Sequence, residues 1–280
     1  MSIVNCQLSI VKMWVVEEMR VLIKGAGDLA TGVAQALWRA GMAVLMTEIA
    51  QPLAVRRGAA LAQAVYDGAT CVEDMEGRLV GDVSTAWQAI GSGAIPILVD
   101  AGLHCLSEFE PQILCEATLA KKNTGLKCGM APFTLALGPG YFAGRDADVV
   151  LETMRGPDLA RLIYQGEALP NTAEPGIVAG YANQRLLRAN AKGMFKHICK
   201  ISDMVKAGDT VAYCGEKPVK AAIDGCVRGL LQQGLPVKEG MKVGDIDPQG
   251  KPELCYAISD KARALGGSAL VAIMQWRTVC

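Results

Sequence analysis

Three apolar residues in a row, Val21, Leu22 and Ile23, are followed by Leu29, Val33, Ala36, Leu37 and Ala40 at helical spacing, and a further apolar run ends at Glu48. An unbroken run suits a strand buried on both faces, and three-to-four spacing suits an amphipathic helix, so residues 19–48 predict a βαβ opening. Residues 59–64 then predict a helix, 69–72 a short strand, 84–90 a helix and 95–99 a buried strand ending in Asp100. Residues 113–120 have a helix-like apolar texture, and 133–137 predict another buried strand. Strands alternating with helices place this half of the chain in the α/β class, with a Rossmann-like domain as the expected form. The stretch Gly138-Pro139-Gly140-Tyr141-Phe142-Ala143-Gly144-Arg145-Asp146 is too glycine-rich for a core element. It suits either an anion nest, with Arg145 adding charge, or a wide hairpin turn whose return strand lies in residues 147–153.

The pattern changes from residue 191. Residues 191–216 and 223–248 align at a constant offset of 32, pairing Gly193 with Gly225, Val205 with Val237, Lys206 with Lys238, Gly208 with Gly240 and Val211 with Val243. Inward valines and a turn glycine in each copy predict a duplicated β unit, and two such halves predict a barrel-sandwich module. That shape resembles the biotinyl and lipoyl carrier domains. Their modified lysine sits at a hairpin tip, but here Lys217 is followed by Pro218 and lies only eight residues before Gly225, so it is expected to stay unmodified. Residues 255–258 are strand-like, Ser259 and Asp260 cap a helix from Lys261, Gly266 and Gly267 stop it, and residues 269–274 form a last strand or short helix. The expected division is an extension over 1–18, an α/β domain over 19–190, the β module over 191–250, and a segment over 251–280 that packs back on the α/β domain.

The βα turn carries the first candidate chemistry. In a dinucleotide-binding unit Gly25 would allow the tight turn, Gly27 would let the backbone approach a phosphate, Ala30 would take the close-packing place, and Glu48, 21 residues after Gly27, would hold ribose hydroxyls. Glu48 would then prefer free hydroxyls to a 2′-phosphate. Asp28 opposes this, because a carboxylate in the first helical turn competes with phosphate for the same field. At about 4 Å two unit charges repel by about 1 kcal/mol in water and about 4 kcal/mol at an effective dielectric of about 20. Asp100, at a strand end, is either a crevice residue or the cap of its own turn; His104 suits an ordinary loop. The candidate cofactor-binding set is Gly25, Ala26, Gly27, Asp28, Glu48, Asp100, Gly138, Gly140 and Arg145, with Arg56, Arg57, Lys121 and Lys122 as further cations. Catalytic residues stay unassigned.

With 280 residues, 51% of them hydrophobic and 20% charged, the chain can bury an ordinary core. Lys plus Arg and Asp plus Glu are 28 each, so net charge draws it to neither nucleic acid nor a membrane surface. No signal-peptide pattern precedes Met19, and residues 1–18 are either an alternative start or a loose extension. Ten scattered cysteines without a CxxC pair, and only two histidines, favour reduced thiols in the cytoplasm and offer little to a structural zinc. Cys255 stands out as a thiol that is either buried or a sulfur or selenium relay.

The strings KGAGDLATGVA, MTEIAQPLAVRR, LALGPGYFAGRDADVVLETMRG, LPNTAEPG, KAAIDGCVRGLL, KVGDIDP and ISDKARALGG together resemble the selenium-dependent molybdenum-hydroxylase maturation family. More remotely they resemble accessory proteins of xanthine-dehydrogenase-like enzymes. The resemblance spans about residues 19–275 and leaves residues 1–18 outside. It implies a cytoplasmic accessory protein whose partner is a molybdenum hydroxylase, and it leaves NAD and a molybdopterin dinucleotide as candidate cofactors, self-association open, and catalysis undecided. The alternatives are an NAD-dependent oxidoreductase, with Asp100 or His104 as acid or base, and a non-catalytic scaffold.

Overall fold

The computed structural model describes residues 19–172 and 175–279; the extension 1–18, and Ala173 and Glu174 of the LPNTAEPG loop, lie outside the described residues. The α/β unit contains β1 (Arg20–Lys24), α1 (Asp28–Arg39), β2 (Ala43–Glu48), α2 (Ala64–Asp67), β3 (Ala69–Val72), β4 (Met75–Val80), α3 (Val83–Gly91) and β5 (Ile95–Val99). It continues through α4 (Leu106–Phe109), β6 (Ile113–Glu116), β7 (Phe133–Leu137), β8 (Phe142–Ala143), β9 (Val149–Leu151), β10 (Leu162–Ile163) and β11 (Gly166–Glu167). The β-rich part has β12 (Leu186–Arg188), β13 (Gly193–His197), β14 (Met204–Val205), β15 (Thr210–Cys214), β16 (Lys217–Lys220), β17 (Gly225–Leu230), β18 (Pro236–Val237) and β19 (Lys242–Asp247), and α5 (Asp260–Val279) follows.

Among the described residues, nine strands form one mixed sheet in the order β10-β9-β7-β6-β1-β2-β5-β4-β3. The pairs from β9 across to β4 are parallel, while β10 on β9 and β3 on β4 are antiparallel. In β1, Val21 and Ile23 face a core shared with α1 and α5, and Leu22 faces the opposite core with Val83 and Ala86 of α3 and Phe109 of α4. Strict alternation across a fully buried strand thus fills both layers.

This sheet corrects the Rossmann-like expectation. A dinucleotide fold repeats two βαβαβ halves, but here β6, β7 and β9 follow one another through loops without helices, and the face they leave is covered by α5 from the far end of the chain. The helix-like stretch 113–120 holds β6, because its apolar run is short and buried on both faces. Residues 147–153 hold no hairpin return: β9 runs parallel to β7.

The barrel-sandwich expectation is corrected as well. The β-rich part is two four-stranded sheets, β12-β19-β17-β14 and β16-β15-β13-β18, and β12 comes from outside the repeat. The copies do keep their offset, β13, β14 and β15 matching β17, β18 and β19, yet each exchanges a strand: β13 pairs with β18, and β14 with β17. Phe195, Val211, Val227, Val243 and Ile246 fill the space between the sheets. The two parts abut where Arg57 Nε donates to the Leu230 carbonyl at 2.7 Å and Nη1 to Gln232 at 2.8 Å.

Gly266 and Gly267 do not stop α5, which runs unbroken to Val279. Ser259 caps it, its hydroxyl accepting from the Ala262 amide at 3.2 Å. Residues 255–258 form no strand either: a 3₁₀ turn ends at Cys255, which faces β17, whereas Ile258 enters the α1–α5 core. The glycines serve the crossing of α5 over α1. A Cβ on Gly32 would lie 2.6 Å from the Ala262 Cβ, and one on Gly266 would collide with the Gly32 carbonyl oxygen, whereas Gly267 is exposed with open space around it.

Both glycines carry the same helix-propensity deficit, so their replacements separate propensity from packing. Gly267→Ala is expected to stabilise by about 0.5–1 kcal/mol, while Gly266→Ala destabilises by about 1–3 kcal/mol through overpacking. Thermal unfolding of the two variants checks the opposite signs.

Candidate functional site

Parallel strands align their carboxyl ends along one edge of the sheet, and four of the segments leaving that edge begin with an acid. Each acid accepts hydrogen bonds from backbone amides of the loops at this edge. Glu48 accepts from the amides of Ala26 at 2.9 Å and Ile49 at 2.8 Å. Asp100 accepts from the Cys105 amide and pairs with His104 Nδ1, both at 2.8 Å. Glu116 accepts from the Thr118 amide at 3.0 Å and the Thr124 hydroxyl at 2.6 Å, with Lys24 Nζ at 3.3 Å. Glu152 accepts from the amides of Thr153 and Met154 at 2.6 Å and Leu169 at 2.7 Å. Burial would raise the Asp100 carboxyl, but hydrogen bonds from Cys105 and His104 outweigh it and hold the group at about 2.

These contacts fix where the sequence candidates lie. Gly25 adopts φ +98°, and a Cβ there would stand 3.1 Å from the Thr118 amide nitrogen, so the turn needs glycine. The Ala26 amide is held by Glu48, which leaves neither Glu48 oxygen without a backbone donor. Gly27 is the N-cap residue of α1, with open space at its Cα. Asp28 pairs with Arg56 at 3.4 Å. Asp100 joins this edge through its amide, which donates to the Glu48 carbonyl at 3.0 Å. Gly138 follows β7 with its Cα against Thr153, and Gly140 lies against the backbone of Lys121 and Lys122. Arg145 stands apart, exposed, paired with Asp146 at 2.8 Å and stacked on Phe142.

Arg56 leads to the most charged part of the molecule. Its guanidinium is buried, donates to the Ala257 carbonyl at 2.9 Å and the Leu254 carbonyl at 3.3 Å, and is held below its ordinary pKa by burial, with Asp28 opposing and Arg228 adding to the shift. Arg56, Arg155 and Arg228 line a cleft of about 420 Å³ between the α/β unit and the β-rich part, with Asp247, Asp260 and the segment Leu254 to Ser259. Arg155 and Ile177 also line an adjoining cavity of about 380 Å³, with Lys121, Glu152 and Lys261. Arg155 is tied to Asp260 through two bonds of 2.8 and 2.9 Å, which hold the Asp260 carboxyl at about 2 despite its exposure. Burial lowers the Lys261 amine, and Arg155 lowers it further.

Behind the cleft, Asp245 takes Arg185 at 2.9 Å and Arg228 at 3.7 Å, and Arg228 reaches Asp247 at 4.0 Å. Among the described residues, the Nε atoms of Arg56, Arg185 and Arg228 are buried without an acceptor. A buried guanidinium donor left unpaired is costly, and for Arg228 Nε the carboxylate oxygen facing it is Asp247 Oδ2 at 4.0 Å.

No protein-family model matches the chain. It is 45% identical over 254 residues to the uncharacterized protein YqeB of Escherichia coli K12, an alignment covering 91% of this chain and 47% of that protein. The chain thus spans about half the length of the curated relative it matches. Solved structures similar to it include an aspartoacylase family protein from Mesorhizobium loti, at 9% identity and TM-score 0.26, covering 81% of this chain and 84% of that one. Another is a succinylglutamate desuccinylase/aspartoacylase from Rhodobacter sphaeroides, at 14% identity and TM-score 0.27, covering 82% and 85%. At such scores these likenesses carry neither a fold nor an activity to this chain.

The family resemblance is corrected. The relative it matches is an uncharacterized protein and the solved structures named above are aspartoacylase and desuccinylase family proteins rather than maturation factors, so the chain is not assigned to molybdenum-hydroxylase maturation, its selenium chemistry or a hydroxylase partner. The oxidoreductase alternative loses its acid and base, because Asp100 is strongly ionised and spent, with His104, on capping a turn. Among the described residues no helix is long and apolar enough to cross a membrane.

The sequence reading missed Arg228, Asp245, Asp247, Lys261, Glu116 and Glu152. Asp245 and Asp247 stand at alternate positions of β19 and share a face, a two-residue spacing that the sequence displays. Glu116 and Glu152 repeat the strand-end acid of Glu48 and Asp100.

Asp100 gives a pH test. Its carboxyl is depressed from 3.8 to about 2, so its stabilising contribution is complete above 3.8 and is lost as pH falls through about 2. Asp100→Asn should therefore lower the melting temperature at neutral pH, and the gap from the parent should narrow across that acid window.

Proposed function

We propose that the protein binds a small anionic molecule, carrying carboxylate or phosphate groups, in the cleft between its α/β unit and its β-rich part. The observation that carries this reading is the convergence of three guanidinium groups, those of Arg56, Arg155 and Arg228, on one cleft. Arg155, Lys121 and Lys261 extend the positive lining into the adjoining cavity, where Glu152 is already surrounded by backbone amides. Guanidinium groups suit planar oxyanions because they donate two parallel bonds. The volume of about 420 Å³ suits a small molecule rather than a polymer.

Thermal-shift and calorimetric titration with phosphate, pyrophosphate, succinate and citrate tests the reading. At least one is expected to bind saturably, raising stability by about 2.7 kcal/mol at a concentration near 100 times its Kd. Arg228→Met is the discriminating variant, because Arg228 makes only long contacts with Asp245 and Asp247 and its loss spares the loop bonds made by Arg56. It should weaken binding by about 10- to 100-fold, the worth of a charge-assisted hydrogen bond. Absence of saturable binding by all four anions, or unchanged affinity in Arg228→Met, refutes the assignment.

A further inference from the structure

The sulfur atoms of Cys226 and Cys255 lie 3.5 Å apart, and both side chains are fully buried. Cys226 belongs to β17, whereas Cys255 ends the short 3₁₀ segment Pro252–Cys255, so the contact joins the β-rich part to the segment leading into α5. Cys255 Sγ also lies 3.7 Å from the Val227 carbonyl, which keeps it against β17. The two sulfurs need to approach by about 1.5 Å to reach the bond length of about 2.05 Å.

The surroundings decide when that can happen. Burial pushes the Cys226 thiol up to about 12, with the Cys255 contact adding to it, and burial raises Cys255 as well. The closed structure therefore holds two unreactive thiols. Its cover is thin, though: Lys251, Pro252, Glu253 and Tyr256 are exposed around the buried Cys255. Opening it locally releases the two Arg56 bonds to the Leu254 and Ala257 carbonyls, at a cost still below that of global unfolding.

We propose that Cys226 and Cys255 form a modification site, closing to a disulfide when residues 251–257 open in the presence of hydrogen peroxide. The opened Cys255 thiolate attacks one peroxide oxygen, the O–O bond breaks, and a sulfenic acid forms while hydroxide leaves and is protonated to water. Cys226 sulfur then attacks the Cys255 sulfur, the S–O bond breaks, and the hydroxyl leaves with the Cys226 proton as a second water. Two thiols lose two electrons, and one peroxide becomes two waters. The new bond pins the segment holding Leu254, Ala257 and Ile258, which line the arginine cleft.

Full-length protein is treated with hydrogen peroxide, quenched with an alkylating reagent and mapped by mass spectrometry. The expected product has lost two hydrogens, about 2 Da, yields a cross-linked Cys226–Cys255 peptide, melts at a higher temperature than the reduced form, and reverts with dithiothreitol. Cys226→Ser and Cys255→Ala should each abolish that peptide. Exposed Cys71 and Cys128 report that oxidant was sufficient. Recovery of Cys226 and Cys255 fully alkylated after Cys71 and Cys128 have been oxidised, or a cross-link that joins other cysteines, overturns the proposal.

Discussion

The crossing of α5 over α1 is the constraint on which the rest of the arrangement depends. Gly32 and Gly266 let two helix backbones approach where any side chain would intrude, and Ala262 fills the gap that remains. The apolar seam of Val33, Leu37, Leu265, Ala269 and Ile273 then seals one face of the sheet with residues more than two hundred positions apart. Long-range closure of this kind fixes the start of α5, and with it the segment from Leu254 to Ser259. Arg56 grips that segment by two carbonyls, and Glu73 holds it again through the Ile258 amide at 2.9 Å. The cleft is therefore built by helix packing at a distance rather than by the loops that line it.

A second consequence concerns where an anion can be recognised. In many α/β proteins the amides at the carboxyl edge of the sheet receive the ligand's oxygens. Here Glu48, Asp100, Glu116 and Glu152 take up amides at that edge, each through at least one short bond. Charge-assisted bonds to backbone amides stabilise loops, and they also place negative charge where a phosphate would otherwise sit. Recognition is thereby displaced toward side chains, and the arginines at the boundary between the two parts are the groups with donors to spare.

Much of the α/β unit was legible because its signals are local. The helix expected over 84–90 is Val83–Gly91, and the strands expected over 95–99 and 133–137 coincide with β5 and β7. Misreadings occurred where a local signal served a distant partner. Gly266 and Gly267 look like a helix stop until α1 is placed against Gly266, and residues 113–120 look helical until β1 and β7 flank β6. The site was legible only in part for the same reason: Arg56 and Asp28 were visible as charges, but their convergence with Arg228, Arg155 and Lys261 depends on contacts spanning most of the chain. Asp28 shows the value of charge arithmetic, since its conflict with a phosphate was evident from sequence and the structure pairs it with Arg56 instead.

The central claim is that Arg56 and Arg228 receive an anionic molecule in the cleft they line, and nuclear magnetic resonance of arginine side chains observes their Nε–H groups directly. Their Nε–H signals, assigned by Arg→Lys replacement at each position, should appear as protected resonances in the free protein. Both should move downfield together, and saturate, as a small dianion such as succinate or pyrophosphate is added, while the exposed Arg145 signal stays in place. Signals from Arg56 and Arg228 that remain unmoved while the dianion is bound, or that move no more than Arg145, would contradict the account.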